Sequence, residues 1–96
     1  MAGDPGGEGR KKGLAEIAQE AVDDSLGKGF KRVLSFSSAI RVGNQAALYS
    51  QANKVHKCGR ISKVQDKVIT VEGELGGEID YNNLDFTKEL LFIKTS

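Results

Sequence analysis

His56 and Cys58 stand two residues apart, a spacing that on an extended strand puts an imidazole and a thiol on one side. Such a pair could activate a nucleophile or supply half of a metal site. Neither chemistry completes here. Structural zinc needs four ligands, and the chain has one histidine and one cysteine. A catalytic thiol needs more than proximity to a histidine, and nothing near His56 supports a Ser-His-Asp arrangement. Glu72, Glu74, Glu78 and Asp80 form an acidic cluster, but its spacing fits no EF-hand calcium loop. Gly27-Lys28-Gly29 lacks the rest of a phosphate-binding loop, and Gly7-x-Gly9 does not follow a strand. No catalytic, cofactor-binding or metal-ligating residue is assigned, and a non-enzyme is expected.

What remains is binding, and charge is the first guide to it. Net charge is only +1, yet its distribution is uneven. From Lys28 to Lys67 the basic residues are Lys28, Lys31, Arg32, Arg41, Lys54, Lys57, Arg60, Lys63 and Lys67, with Asp66 the single acid. Leu14 to Leu26 carries only acids: Glu16, Glu20, Asp23 and Asp24. Glu72 to Glu89 is acidic again, with Lys88 its single base. An acidic, basic, acidic order favours attraction between segments, or between neighbouring copies, over one uniform field.

Ninety-six residues make one domain with one modest core. An apolar content of 39% and a charged content of 28% fit a globular chain. No apolar run approaches the roughly 20 residues of a membrane span, and the Gly-rich start lacks the apolar centre of a signal peptide. Ala2 stands where a myristoylation signal needs glycine. With a single cysteine no internal disulfide forms, which suits the cytoplasm, or a virion or other large complex assembled there.

These residues need elements to position them. Residues 1–13, glycine-rich and holding the only proline, predict a flexible arm. Residues 14–27 predict one amphipathic helix, with Leu14, Ile17, Ala18, Ala21, Val22 and Ser25 as its apolar stripe and Gly27 as its stop. Its charges oppose the helix dipole, each at a cost of roughly 0.3–1 kcal/mol. About 13 residues are marginal for an isolated helix, so it must dock, on its own sheet or on a neighbouring subunit.

Residues 28–96 predict a mainly β fold: a small antiparallel barrel or sandwich of about five to six strands. Lys28, Gly29, Phe30 and Val33 match part of an RNA-recognition signature, but Lys31 and Arg32 occupy the places of a small residue and a stacking aromatic. The stretch is read instead as a long strand, Lys31 to Val42, with Leu34, Phe36, Ile40 and Val42 on one face. Ala46 to Gln51 follows as a second strand. Cys58 to Glu74 holds a hairpin broken at Gln65-Asp66-Lys67. A two-residue loop pairs Val64 with Ile69; a three-residue loop pairs Val64 with Val68 and Ile61 with Val71, and the second is favoured because it buries Ile61, Ile69 and Val71 together. Tyr81-Asn82-Asn83 reads as a tight turn, but a strict hairpin would oppose Asp80 and Asp85, so a looser turn stands level with it. Leu90-Leu91-Phe92-Ile93 does not alternate, so both of its faces should be covered.

The expected function is that of a structural or assembly protein, binding copies of itself or a larger complex. Leu14, Ile17, Val22, Leu91 and Ile93 are its expected apolar contacts. Lys31, Arg32, Arg41, Lys57, Arg60, Lys63 and Lys67 are its expected charged surface. The alternative is a nucleic-acid-binding barrel that uses the basic segment, with Phe30 and Tyr49 as stacking groups. No membrane partner is expected, because the helix's polar face is acidic.

Overall fold

The structure is a computed structural model that describes residues 13–95. The expected arm lies outside the described residues except for Gly13. The described residues form one α-helix and one six-stranded antiparallel sheet: α1 (Leu14–Leu26), β1 (Lys31–Arg32), β2 (Gln45–Ser50), β3 (Lys54–Gln65), β4 (Val68–Glu72), β5 (Gly77–Asp80) and β6 (Glu89–Lys94). Strand order is β1-β6-β2-β3-β4-β5, so the last strand lies between the first two and the sheet ends at β1 and β5 without closing.

α1 starts without a side-chain cap at Gly13 and stops at Gly27, whose φ of 90° lets its N–H reach Asp23 O at 3.0 Å. With no basic residue in its last turn, the helix depends on docking. Ala18 and Val22 are fully buried with Phe30, Ala47, Tyr49, Leu90 and Phe92. Burying one valine- or phenylalanine-sized side chain is worth roughly 1.5–3 kcal/mol, more than the dipole penalty. Gln19 Nε2 also donates to Phe30 O at 2.9 Å, tying the helix to the residue before β1. The helix therefore covers its own sheet. Its buried line runs along Leu14, Ala18, Val22 and Leu26, which leaves Ile17 at the margin and 37% exposed.

β6 shows why its sequence does not alternate. Leu90 and Phe92 pack beneath α1, whereas Leu91 and Ile93 join Ala46, Leu48, Ile61, Ile69, Val71 and Ile79 on the other face. Both faces are covered within one chain.

The hairpin turn is the two-residue one. Asp66 and Lys67 both have positive φ (55° and 64°), and Gln65 pairs with Val68 and Val64 with Ile69. The register then skips between Ile61 and Lys63, so Ser62 bulges and Ile61 faces Val71 after all. The three-residue loop is thus corrected, although the core pairing that favoured it is present. Two left-handed residues without glycine are costly; here the turn's carbonyls are held from outside, Lys67 O by Tyr81 N–H (3.0 Å) and Asp66 O by Asn82 Nδ2 (3.1 Å).

The long strand over 31–42 is also corrected. After Arg32 one further ladder bond forms, Val33 N–H to Leu91 O, and the chain then leaves the sheet. Ser35, Ser37 and Ser38 offer local hydroxyl bonds that compete with a ladder, as Ser37 Oγ does by accepting from Ala39 N–H. Segment 33–44 crosses to β2 with Val33, Phe36, Ala39 and Ile40 against the core, leaving Leu34 79% and Val42 58% exposed. Asn44 Nδ2 fixes the crossing by donating to Ala39 O at 2.7 Å.

In a flat sheet β1 and β5 would lie five spacings of about 4.8 Å apart. Yet Phe36, four residues past β1, packs edge-on against Tyr81, the residue after β5, with ring centroids 5.1 Å apart. The sheet is therefore coiled. Tyr81 opens a 3₁₀ turn, Tyr81–Asn83, started by Asp80 Oδ1 accepting from Asn82 N–H, so the looser turn is the one present.

Candidate functional site

Beside β1 the sheet edge, segment 33–39 and the end of β6 enclose a groove of about 400 Å³. Ile93 and Val33 give it an apolar floor, Ser35 and Ser37 supply hydroxyls, and Lys31, opposite Ile93, supplies charge on that side, with Arg32, opposite Phe92, on the α1 side of the same edge. Its lining among the described residues includes no carboxylate. β1 makes the edge available because bonded pairs alternate along an antiparallel ladder. Val33 N–H bonds Leu91 O, so Arg32, one place earlier and opposite Phe92, turns its own N–H and C=O away from β6. Exposed Leu34 stands on the rim.

The structure brings together two of the seven expected charged residues, Lys31 and Arg32, and distributes the others. Arg41 is exposed on segment 33–44, outside the groove. Arg60 is paired in register with Glu72, and Lys63 lies in a cross-strand row with Thr70 and Glu78. Lys57 Nζ donates to Glu78 O. Lys67 Nζ lies 5.8 Å from the Phe36 ring centroid, a cation–π distance. The basic and acidic segments thus meet each other across β3, β4 and β5. A second hollow of about 290 Å³ on this face mixes both signs, with Lys63, Asp66 and Glu78 in its lining.

Of the expected apolar contacts, Val22, Leu91 and Ile93 are buried by the chain itself, although Ile93 forms part of the groove floor. Leu14 is half-buried in the first turn of the helix, and Ile17 is the most accessible of the five. The two expected stacking groups, Phe30 and Tyr49, are buried beneath α1 and unavailable to a base.

His56 and Cys58 form no couple. His56 is the extra residue of a bulge, since Leu48 pairs with Lys57 and Tyr49 with Val55. Val55 and Cys58, three apart, consequently both pack in the cluster beneath α1. His56 Nδ1 lies 3.1 Å from Lys54 O. Burial pushes the Cys58 thiol up, away from thiolate. Among the described residues no three acidic, histidine or cysteine side chains converge on a metal-sized site, and no helix is long and apolar enough to cross a membrane.

Sequence reasoning named Ile93 as an apolar contact but missed Leu34, Ser35 and Ser37, which share the groove with it. The serines at 35, 37 and 38 were the available signal, because hydroxyl side chains so close together favour a turning chain over a ladder. Comparison with known proteins adds nothing to this geometry: no family model, curated protein or solved structure matches the chain.

Proposed function

We propose that this chain is a non-catalytic protein-binding module, a component of a larger assembly, and that its docking surface is the groove beside β1. The observation that carries the reading is the composition of that groove: an apolar floor, two cations, hydroxyls and no acid among its described lining, next to a side chain as exposed as Leu34. A surface of that kind suits a peptide segment that presents an apolar residue beside a carboxylate. The burial of Leu91 and Val22 takes those two residues out of the docking surface, whereas Ile93, at the end of β6, stays in it as groove floor. A nucleic-acid role has less support, because Phe30 and Tyr49 are covered and Arg60 and Lys63 have acidic cross-strand neighbours.

The test is affinity capture from host extract on the full chain and on the Lys31→Glu/Arg32→Glu variant, together with binding of a fluorescent 20-nucleotide single strand across a salt series. A protein retained by the parent chain and lost by the variant is the expected result. Oligonucleotide binding that falls steeply with salt and disappears in the variant would instead establish the nucleic-acid alternative.

A further inference from the structure

Resting on that reading, we infer that the groove's occupant is a second copy of this chain, which inserts its own 72–77 turn head to tail. That turn lies between β4 and β5, on the far side of the strand order from β1. Its tip is Glu74-Leu75, with Glu72 and Glu78 on either side, all exposed. Leu75 is an apolar side chain held outward: its carbonyl accepts from Cys58 N–H at 3.0 Å, and Gly76 N–H closes the turn on Gly73 O at 3.0 Å, while its side chain is 46% exposed. Knob and hole match in kind. Leu75 meets the floor of Ile93 and Val33, and Glu74 meets Lys31 on the Ile93 side, with Arg32 on the α1 side of the same edge within reach of Glu78.

Local charges decide which carboxylates are available. Arg60 is the register partner of Glu72, and Lys57 binds the carbonyl of Glu78, not its side chain. Glu74 at the tip therefore carries most of the attraction. Gly73, Gly76 and Gly77 keep the turn thin, so its backbone can approach the outward amide and carbonyl of Arg32. The acidic face of α1, with Glu16, Asp24 and exposed Ile17, is the competing counterpart. A helix is roughly 10–12 Å across, whereas the groove is at the small end of binding sites, which run roughly 300–1,000 Å³. The slim turn is therefore the counterpart we assign to the groove.

Because knob and hole are different surfaces, the contact is heterologous and generates rings or filaments. The experiment is sedimentation velocity on the full 96-residue chain over a concentration series at 50 and 500 mM NaCl. The parent should associate, with affinity falling about tenfold or more at high salt. Lys31→Glu/Arg32→Glu and Leu75→Asp should each be monomeric with unchanged circular dichroism, and Glu74→Lys should weaken association. An equimolar mixture of the groove variant and the Leu75→Asp variant retains one good hole and one good knob, so it should form a discrete 1:1 dimer.

A parent that is monomeric at every concentration, Leu75→Asp that associates like the parent, or a mixture that stays monomeric would each overturn the inference. So would loss of association in Glu16→Lys/Asp24→Lys with Leu75→Asp unaffected. Self-association that fails while a host protein is still captured through Lys31 and Arg32 would end this inference and leave the binding module standing.

Discussion

Gly59 has φ 154°, and a Cβ built there would lie 2.2 Å from Glu72 O. β3 and β4 approach so closely at this point that only a hydrogen fits. Gly59→Ala should cost at least about 3 kcal/mol, from backbone strain and steric clash together, and urea unfolding will measure it. Asp85 gives a second test at the same scale. Hydrogen bonds from the Thr87 hydroxyl and amide hold its carboxyl below the usual aspartate range. A folded value below the unfolded one means the stabilisation is present above about pH 3.9 and is lost as pH falls through the folded value. Thr87→Val should raise the Asp85 pKa towards normal, as followed by carboxyl carbon NMR. For Cys58 the shift has the opposite sign, because desolvation keeps the thiol protonated. That agrees with a cysteine that packs under the helix.

At the scale of elements, α1 and β6 depend on each other. The helix is uncapped by any side chain at its start and acidic towards its end, and β6 needs cover on the face that Leu90 and Phe92 present. Leu91 lies on the opposite face, fully buried in the cluster with Leu48 and Ile61. Leu91→Asp places a carboxylate there without a partner, and the folded state should lose about 4 kcal/mol or more; loss of the thermal transition would show it. Both of these elements were legible in the sequence, one through its stripe at helical spacing and the other through the absence of alternation. The 33–44 segment was not. Leu34, Phe36, Ile40 and Val42 keep a strand-like period, but two of the four are exposed, and the serines among them satisfy the backbone locally. The hairpin was legible as an element but not in register, since a bulge at Ser62 satisfies both pairings and leaves no trace in the residue pattern.

For the whole molecule, the lesson concerns charge. Nine basic residues in one stretch suggested a basic face, but antiparallel pairing sets that stretch against the acidic one, and Arg60 and Lys63 end beside Glu72, Thr70 and Glu78. Lys31 and Arg32 escape this because β1 pairs with β6 at apolar Ile93 and Phe92. The groove could not have been read from the sequence, since Ile93 reaches it from the opposite end of the chain. The Phe36–Tyr81–Phe86 cluster of edge-on and tilted rings has a different consequence. Where the two sheet margins meet, it is aromatic rings that join them, so this seam can breathe without breaking the ladder bonds of the six strands. Slow amide exchange should then persist through β2, β3 and β6 while those rings part and rejoin many times over.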